Sequence, residues 1–143
     1  MRPLTQQRHE LTIPPFGPGL VEITREVGAW LASIAACDGL LTVLLRTSKA
    51  TLAIRDSSDP DLKASVLNAL RPARRLEAGP IGKLGSARGR SISSRFQLGS
   101  CCLSIPVFGG AMAIGAPQGL FLIEHRHRDS DRLLALQFVG SCG

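Results

Sequence analysis

Three stretches of this 143-residue chain carry side chains that could do chemistry. The first is Glu124-His125-Arg126-His127, which sets an acid, two imidazoles and a guanidinium on consecutive positions. On a strand, His125 and His127 would share one face, a spacing that serves a metal ion only when a third ligand arrives from elsewhere. A pair that merely hydrogen-bonds is the plainer expectation, although an imidazole ionises in the range useful for moving protons near neutral pH. Glu124 and Arg126 would share the opposite face, as an ion pair requires. The second stretch, Gly79-Pro80-Ile81-Gly82-Lys83-Leu84, has the glycines and lysine of a phosphate loop without its spacing, and no hydroxyl residue follows the lysine. The third runs from Arg71 to Arg95, where seven basic residues against Glu77 account for the whole net charge of +6. Such a segment suits phosphate on a nucleic acid or a small ligand, and is otherwise a solvated basic loop.

Other chemistries are disfavoured by what the chain lacks. Cys37, Cys101, Cys102 and Cys142 form no C-x-x-C pair and no zinc spacing with His9, His125 or His127, so no metal site is expected. Adjacent Cys101 and Cys102 would point to opposite faces of a strand, which opposes a bond between them. With no apolar leader after Met1, the reading is a cytoplasmic protein with reduced thiols. There is no tyrosine and only one tryptophan, which leaves little to stack unpaired bases. Residues 96–123 carry no charge, but Pro106, Pro117 and five glycines would break a membrane-spanning helix repeatedly, so buried strands and no membrane contact are expected.

The elements that must position these groups are legible in the periodicity. A strand over 5–13 ends at the Pro14-Pro15-Phe16-Gly17-Pro18-Gly19 cluster and reads as an edge. From Thr24, Val27, Trp30, Leu31, Ile34 and Ala35 gather on one helical face, and Gly39 is placed to end that helix. Leu40 to Arg46 and Ala50 to Asp56 read as strands. Asp59-Pro60-Asp61 starts a second helix that runs to about Leu70, where Pro72 stops it. Alternation of Cys101, Leu103, Ile105 and Val107 marks another strand, followed by strands over 111–115, 120–126 and 132–139, with a turn at Ala116-Pro117-Gln118-Gly119. The result is a single α+β domain over residues 1–143, a mostly antiparallel sheet with two helices in the order β-α-β-β-α-β-β-β-β.

Order and wording together then resemble a known family. Ile23-Thr24-Arg25-Glu26-Val27, Asp38-Gly39-Leu40-Leu41-Thr42-Val43, Leu45-Arg46-Thr47-Ser48, Asp59-Pro60-Asp61, Ser104-Ile105-Pro106-Val107, Gln118-Gly119 and Glu124-His125-Arg126 are similar to segments of the YjbQ family, also called the secondary thiamine-phosphate synthase family. The resemblance covers nearly the whole chain. It implies a compact α+β fold, a homotrimer, and a weak transferase activity joining a pyrimidine diphosphate to a thiazole phosphate. It also implies a site between subunits. Carried over residue by residue, that site has His125, Glu124 and Asp59 as catalytic groups, with Arg46, Ser48, Asp61, Gln118, Gly119 and Arg126 binding substrate.

The match is partial. Where the family has histidine after arginine, this chain has Thr47, or a deletion compensated by Lys49. Between Glu77 and Glu124 there is no Asp, Glu or His, and the usual Thr-Trp before Gln-Gly is Ala116-Pro117. Threonine and serine replace imidazole and carboxylate neither in proton transfer nor in holding a divalent cation. Two expectations follow. One is a feeble transferase in which His125 is acid or base, Glu124 orients it, and Arg46 with Arg126 grips a small phosphorylated substrate. The other is a non-catalytic trimer that binds a phosphorylated metabolite, or weakly a nucleic acid, through the 71–95 segment. No residue pattern names a cofactor. The homotrimer also agrees with the uncharged 96–123 stretch, more apolar strand than one small core readily covers.

Overall fold

A computed structural model describes residues 3–16, 19–77, 99–125 and 130–143. Eight strands and two helices occur among them: β1 (Thr5–Ile13), β2 (Gly19–Glu22), α1 (Thr24–Ser33), β3 (Ala36–Leu45), β4 (Ala50–Asp56), α2 (Leu62–Glu77), β5 (Cys102–Phe108), β6 (Ala111–Met112), β7 (Gln118–Glu124) and β8 (Arg132–Cys142). The strands form a five-stranded sheet in the order β1-β8-β3-β5-β6 and a three-stranded sheet in the order β2-β7-β4. Every pairing is antiparallel.

Alternation decides which side of the larger sheet faces inward. Leu41, Val43 and Leu45 of β3, Leu134, Leu136 and Phe138 of β8, and Ile105 and Val107 of β5 point into one core with Leu120, Leu122 and Leu52 of the smaller sheet. Val27, Trp30 and Leu31 of α1 close that core. The smaller sheet is buried on its other face too. There Ala53 and Ile123 pack against Val66 and Leu70 of α2, which explains why β7 reads as an unbroken apolar run. Among the described residues nothing covers the outer face of the larger sheet in this way, and Leu40, Leu44, Leu133 and Val139 are each 36–44% exposed there.

Several boundaries differ from the sequence expectation. β2 was not expected, because four residues between a proline-glycine cluster and a helix carry no periodicity of their own; pairing with β7 makes the strand. The first helix ends at Ser33, with Ala35 at φ 52 turning the chain, and Gly39 lies inside β3 instead of capping α1. At Gly39 a side chain would strike the backbone of Val139 and Gly140, so the glycine serves close strand approach. The second helix runs through Pro72 to Glu77. A proline removes one hydrogen bond, to the carbonyl of Asn68, but its fixed φ is helical. The turn before β7 spans Gly115 to Gln118, one residue earlier than expected, and its Ala116–Pro117 peptide is cis. No helix among the described residues is long and apolar enough to cross a membrane.

Candidate functional site

The antiparallel register of β4 and β7 sorts the candidate residues into two groups. Ala50 pairs with Glu124 at one end of the ladder and Asp56 with Gln118 at the other. Six residue steps separate these ends, about 20 Å along the strand. Arg46, Ser48, Glu124 and His125 gather at the first end; Asp59, Asp61, Gln118 and Gly119 gather at the second.

At the first end the turn between β3 and β4 meets the exit of β7. The amide of His125 donates to the carbonyl of Lys49 at 3.4 Å, and the Lys49 amide donates to Thr47 Oγ1 at 3.2 Å. The His125 ring is half-buried, with Nε2 3.5 Å from Thr51 Oγ1. Ser48 is exposed. Glu124 turns the opposite way and is only 2% exposed. Its Oε2 accepts from Arg132 Nε at 2.8 Å and its Oε1 from Arg132 Nη2, while Arg132 itself is 7% exposed. This hydrogen bonding holds the Arg132 guanidinium above its ordinary pKa, against the opposing effect of burial. The partner expected for Glu124 was Arg126; Arg126 and His127 lie outside the described residues, and Arg132 takes both carboxylate oxygens. Arg46, one residue past β3, points to the uncovered face of the larger sheet, where Nη1 donates to Glu10 Oε2 at 2.9 Å.

At the second end the groups are committed to turns. Asp59 Oδ1 accepts the amide of Asp61 at 2.9 Å, and the Asp61 carbonyl accepts the amide of Ser65 at 2.8 Å, so the pair starts α2. Asp56 accepts the amide and the hydroxyl of Ser58 at 2.8 and 2.6 Å, and these bonds hold its carboxyl below the usual value. Gln118 Oε1 accepts the amide of Gly115 at 2.7 Å. Gly119 has a packing reason: a side chain there would overlap the Glu22 carboxylate and crowd the Thr24 hydroxyl. Thr24 Oγ1 donates to Glu22 Oε2 at 2.8 Å and accepts the amide of Leu120 at 2.9 Å.

Chemically, the first end offers a half-buried imidazole beside hydroxyls and a buried charge pair; the second offers acceptors already in use. Among the described residues no three His, Cys, Asp or Glu side chains are placed to hold a metal ion. Sequence reasoning missed Glu22, Thr24 and Arg132. Thr24 stood inside a segment that carried the resemblance, but nothing local linked it to Gly119, 95 positions later. The side chains of the 71–95 segment fall outside the described residues.

With this geometry established, comparison with known proteins supplies the relationship. Residues 9–141 match the family described as UPF0047 protein YjbQ-like. A UPF0047 protein of Synechocystis sp. is 27% identical over 138 residues, covering 94% of this chain and 92% of its own. In fold, the chain is similar to a YbjQ-like protein of unknown function from Sulfolobus solfataricus P2, with TM-score 0.75 and 17% identity over 96% of this chain and 99% of that one. It is likewise similar to a hypothetical protein from Aeropyrum pernix K1, with TM-score 0.74 and 20% identity over 94% and 99% of the two chains. By the extent of the family match, which takes in residues 9–141, the chain belongs to the UPF0047, YjbQ-like family.

Proposed function

We propose that this protein binds a small phosphorylated metabolite at the His125 end of the β4-β7 ladder, with a feeble transferase activity of the thiamine-phosphate synthase type. The observation that carries the reading is the contrast between neighbours on one strand end. Glu124 is buried and bound through both oxygens by Arg132, whereas half-buried His125 has its ring beside Thr51 and its amide on the Lys49 carbonyl of the 46–49 turn. Imidazole is the group there suited to giving or taking a proton near neutral pH. Ser48 and Arg126 are the proposed partners for a phosphate, and Arg46 stands at the root of the same turn.

Transfer of this kind forms a carbon–nitrogen bond between pyrimidine and thiazole while pyrophosphate leaves. Charge on that leaving group calls for guanidinium groups or for a divalent cation held by carboxylates, and both catalytic carboxylate candidates are engaged elsewhere, Glu124 with Arg132 and Asp59 with the amide of Asp61. Slow turnover follows, and the same two commitments favour ligand holding over catalysis. A homotrimer accords with the reading, because the two groups of candidate residues stand about 20 Å apart in one copy and meet only if a second copy supplies one of them.

The test is product formation from the two phosphorylated precursors by wild type and His125→Ala, with binding of each precursor measured separately. Loss of slow turnover with binding retained supports His125 as the proton-transfer group. Turnover unaffected by the substitution removes His125 from the mechanism, and absence of precursor binding removes the reading.

A further inference from the structure

We infer that the uncovered face of the five-stranded sheet holds an anion site of its own, formed by Arg8, Arg46 and Gln137 over a trough at Ala135, that accepts a phosphate monoester in competition with Glu10. The strand order places β8 between β1 and β3. In register, Arg8 lies opposite Gln137 and Glu10 opposite Ala135, while Thr42 and Leu44 flank the same two β8 residues from β3. Alternation therefore sets Arg8, Glu10, Ala135 and Gln137 on one face. Arg46 belongs to β3's end, two strands from Glu10, or about 10 Å between strand axes. Its guanidinium nevertheless bonds Glu10 Oε2 at 2.9 Å, which requires the side chain to lie across β8.

A small residue beneath makes that crossing feasible. Ala135 has no bulk to fill the space, and an open trough of about 460 Å³ lies there, with Arg8, Glu10, Arg46, Ala135 and Gln137 among its lining residues beside His9 and Leu136. This volume falls within the range of small-molecule sites, roughly 300–1,000 Å³. Among the described residues Arg8 has no ion-pair partner, and the Arg46–Glu10 pair is about half exposed on each side. Exposed ion pairs of this kind are weak and exchange readily with a competing anion. With Glu10 in place the trough carries one net positive charge; with Glu10 displaced it carries two. Two guanidinium forks and an amide then match a dianionic tetrahedral oxyanion, which suits the terminal phosphate of a monoester. Among the described residues, exposed Leu44 and Leu133 border the trough where a polymeric phosphate backbone would need further basic groups.

The inference shares Arg46 with the proposed function but depends on residues of β1 and β8 that the His125 end does not use. Inorganic phosphate is the probe, titrated at low salt above neutral pH while the side-chain Nε–H signals of Arg8 and Arg46 are followed by NMR. Both signals should move along one isotherm. Glu10→Gln should tighten binding by about twofold to fivefold, the worth of an exposed ion pair. Arg8→Gln should weaken it by about tenfold, as loss of a charged hydrogen bond predicts. Ala135→Leu keeps every charge and fills the trough, so it should abolish the shift at Arg8; an unchanged melting temperature shows that the fold survives. Movement of Arg46 alone would place phosphate at the turn and overturn this site while leaving the proposed function standing. Unaltered affinity in Glu10→Gln, or equal shifts with succinate, would overturn the competition or the ligand class.

Discussion

Glu124 and Arg132 join the end of β7 to the start of β8 through two hydrogen bonds inside the protein, one of them Nε to Oε2 at 2.8 Å. The pair ties the two sheets together, since β7 belongs to the smaller and β8 to the larger. Removing one partner strands a buried charge, so Arg132→Met should cost about 3–5 kcal/mol, whereas Glu124→Leu with Arg132→Met should recover most of that loss. Chemical denaturation of the two single variants and the double variant completes the cycle. A single-variant cost below about 1 kcal/mol would show that the pair is not what holds this junction.

His125 and Asp59 should separate cleanly in experiment. Asp59 Oδ1 accepts the Asp61 amide at the start of α2, so Asp59→Ala should lower stability by about 0.5–2 kcal/mol and Asp59→Asn by much less. His125→Ala should leave the melting temperature nearly unchanged and remove the slow transferase step. If Asp59→Asn abolished turnover at full stability, the carboxylate itself would belong to the chemistry.

The contrast between these residues marks what was readable in the chain. The helices and most strands were legible because their signals are local: Val27, Trp30 and Leu31 at helical spacing, Ile105 and Val107 in alternation, and prolines and glycines between them. Where a distant partner decides, the signal vanishes. β2 exists because β7 pairs with it, and Gly39 is a glycine because Gly140 lies against it. The candidate site followed the same division. Glu124 and His125 were found from their types, but Arg126, two positions on, looked like the ion-pair partner, and the chain brings Arg132 back from eight positions away. The Arg46–Glu10 bond spans 36 positions and crosses an intervening strand, which no local pattern encodes.

Acid stability should report on Asp56. Hydrogen bonds from the Ser58 hydroxyl and amide hold its carboxyl below the ordinary value of 3.8, so its folded form binds a proton less readily than its unfolded form. The stabilisation is therefore present above that ordinary value and disappears as pH falls through the lowered folded value. Melting temperatures of wild type and Asp56→Asn should differ at neutral pH and converge in strong acid. A difference that stays constant across the acid limb would mean that the charge contributes nothing.

The largest consequence of the two-ended arrangement concerns assembly. Ser48 and His125 stand at one end of the β4-β7 ladder and Asp61 and Gln118 at the other, about 20 Å away, so a joint site would need one group from each of two copies, as in the proposed homotrimer. In a closed ring of three, each site would combine opposite ends of neighbours. Sedimentation should give three times the 15.2 kDa chain mass at micromolar concentration. Two variants then test shared sites: His125→Ala damages one end, and Asp61→Ala with Gln118→Ala damages the other. Each alone should lose precursor turnover. Unfolded together at equal amounts and reassembled, they should regain about a quarter of the wild-type sites, because one pairing in four unites two intact ends. No recovery in mixed trimers of normal mass would confine the site to a single copy and remove the second end from it, and a monomer in sedimentation would remove the shared site altogether.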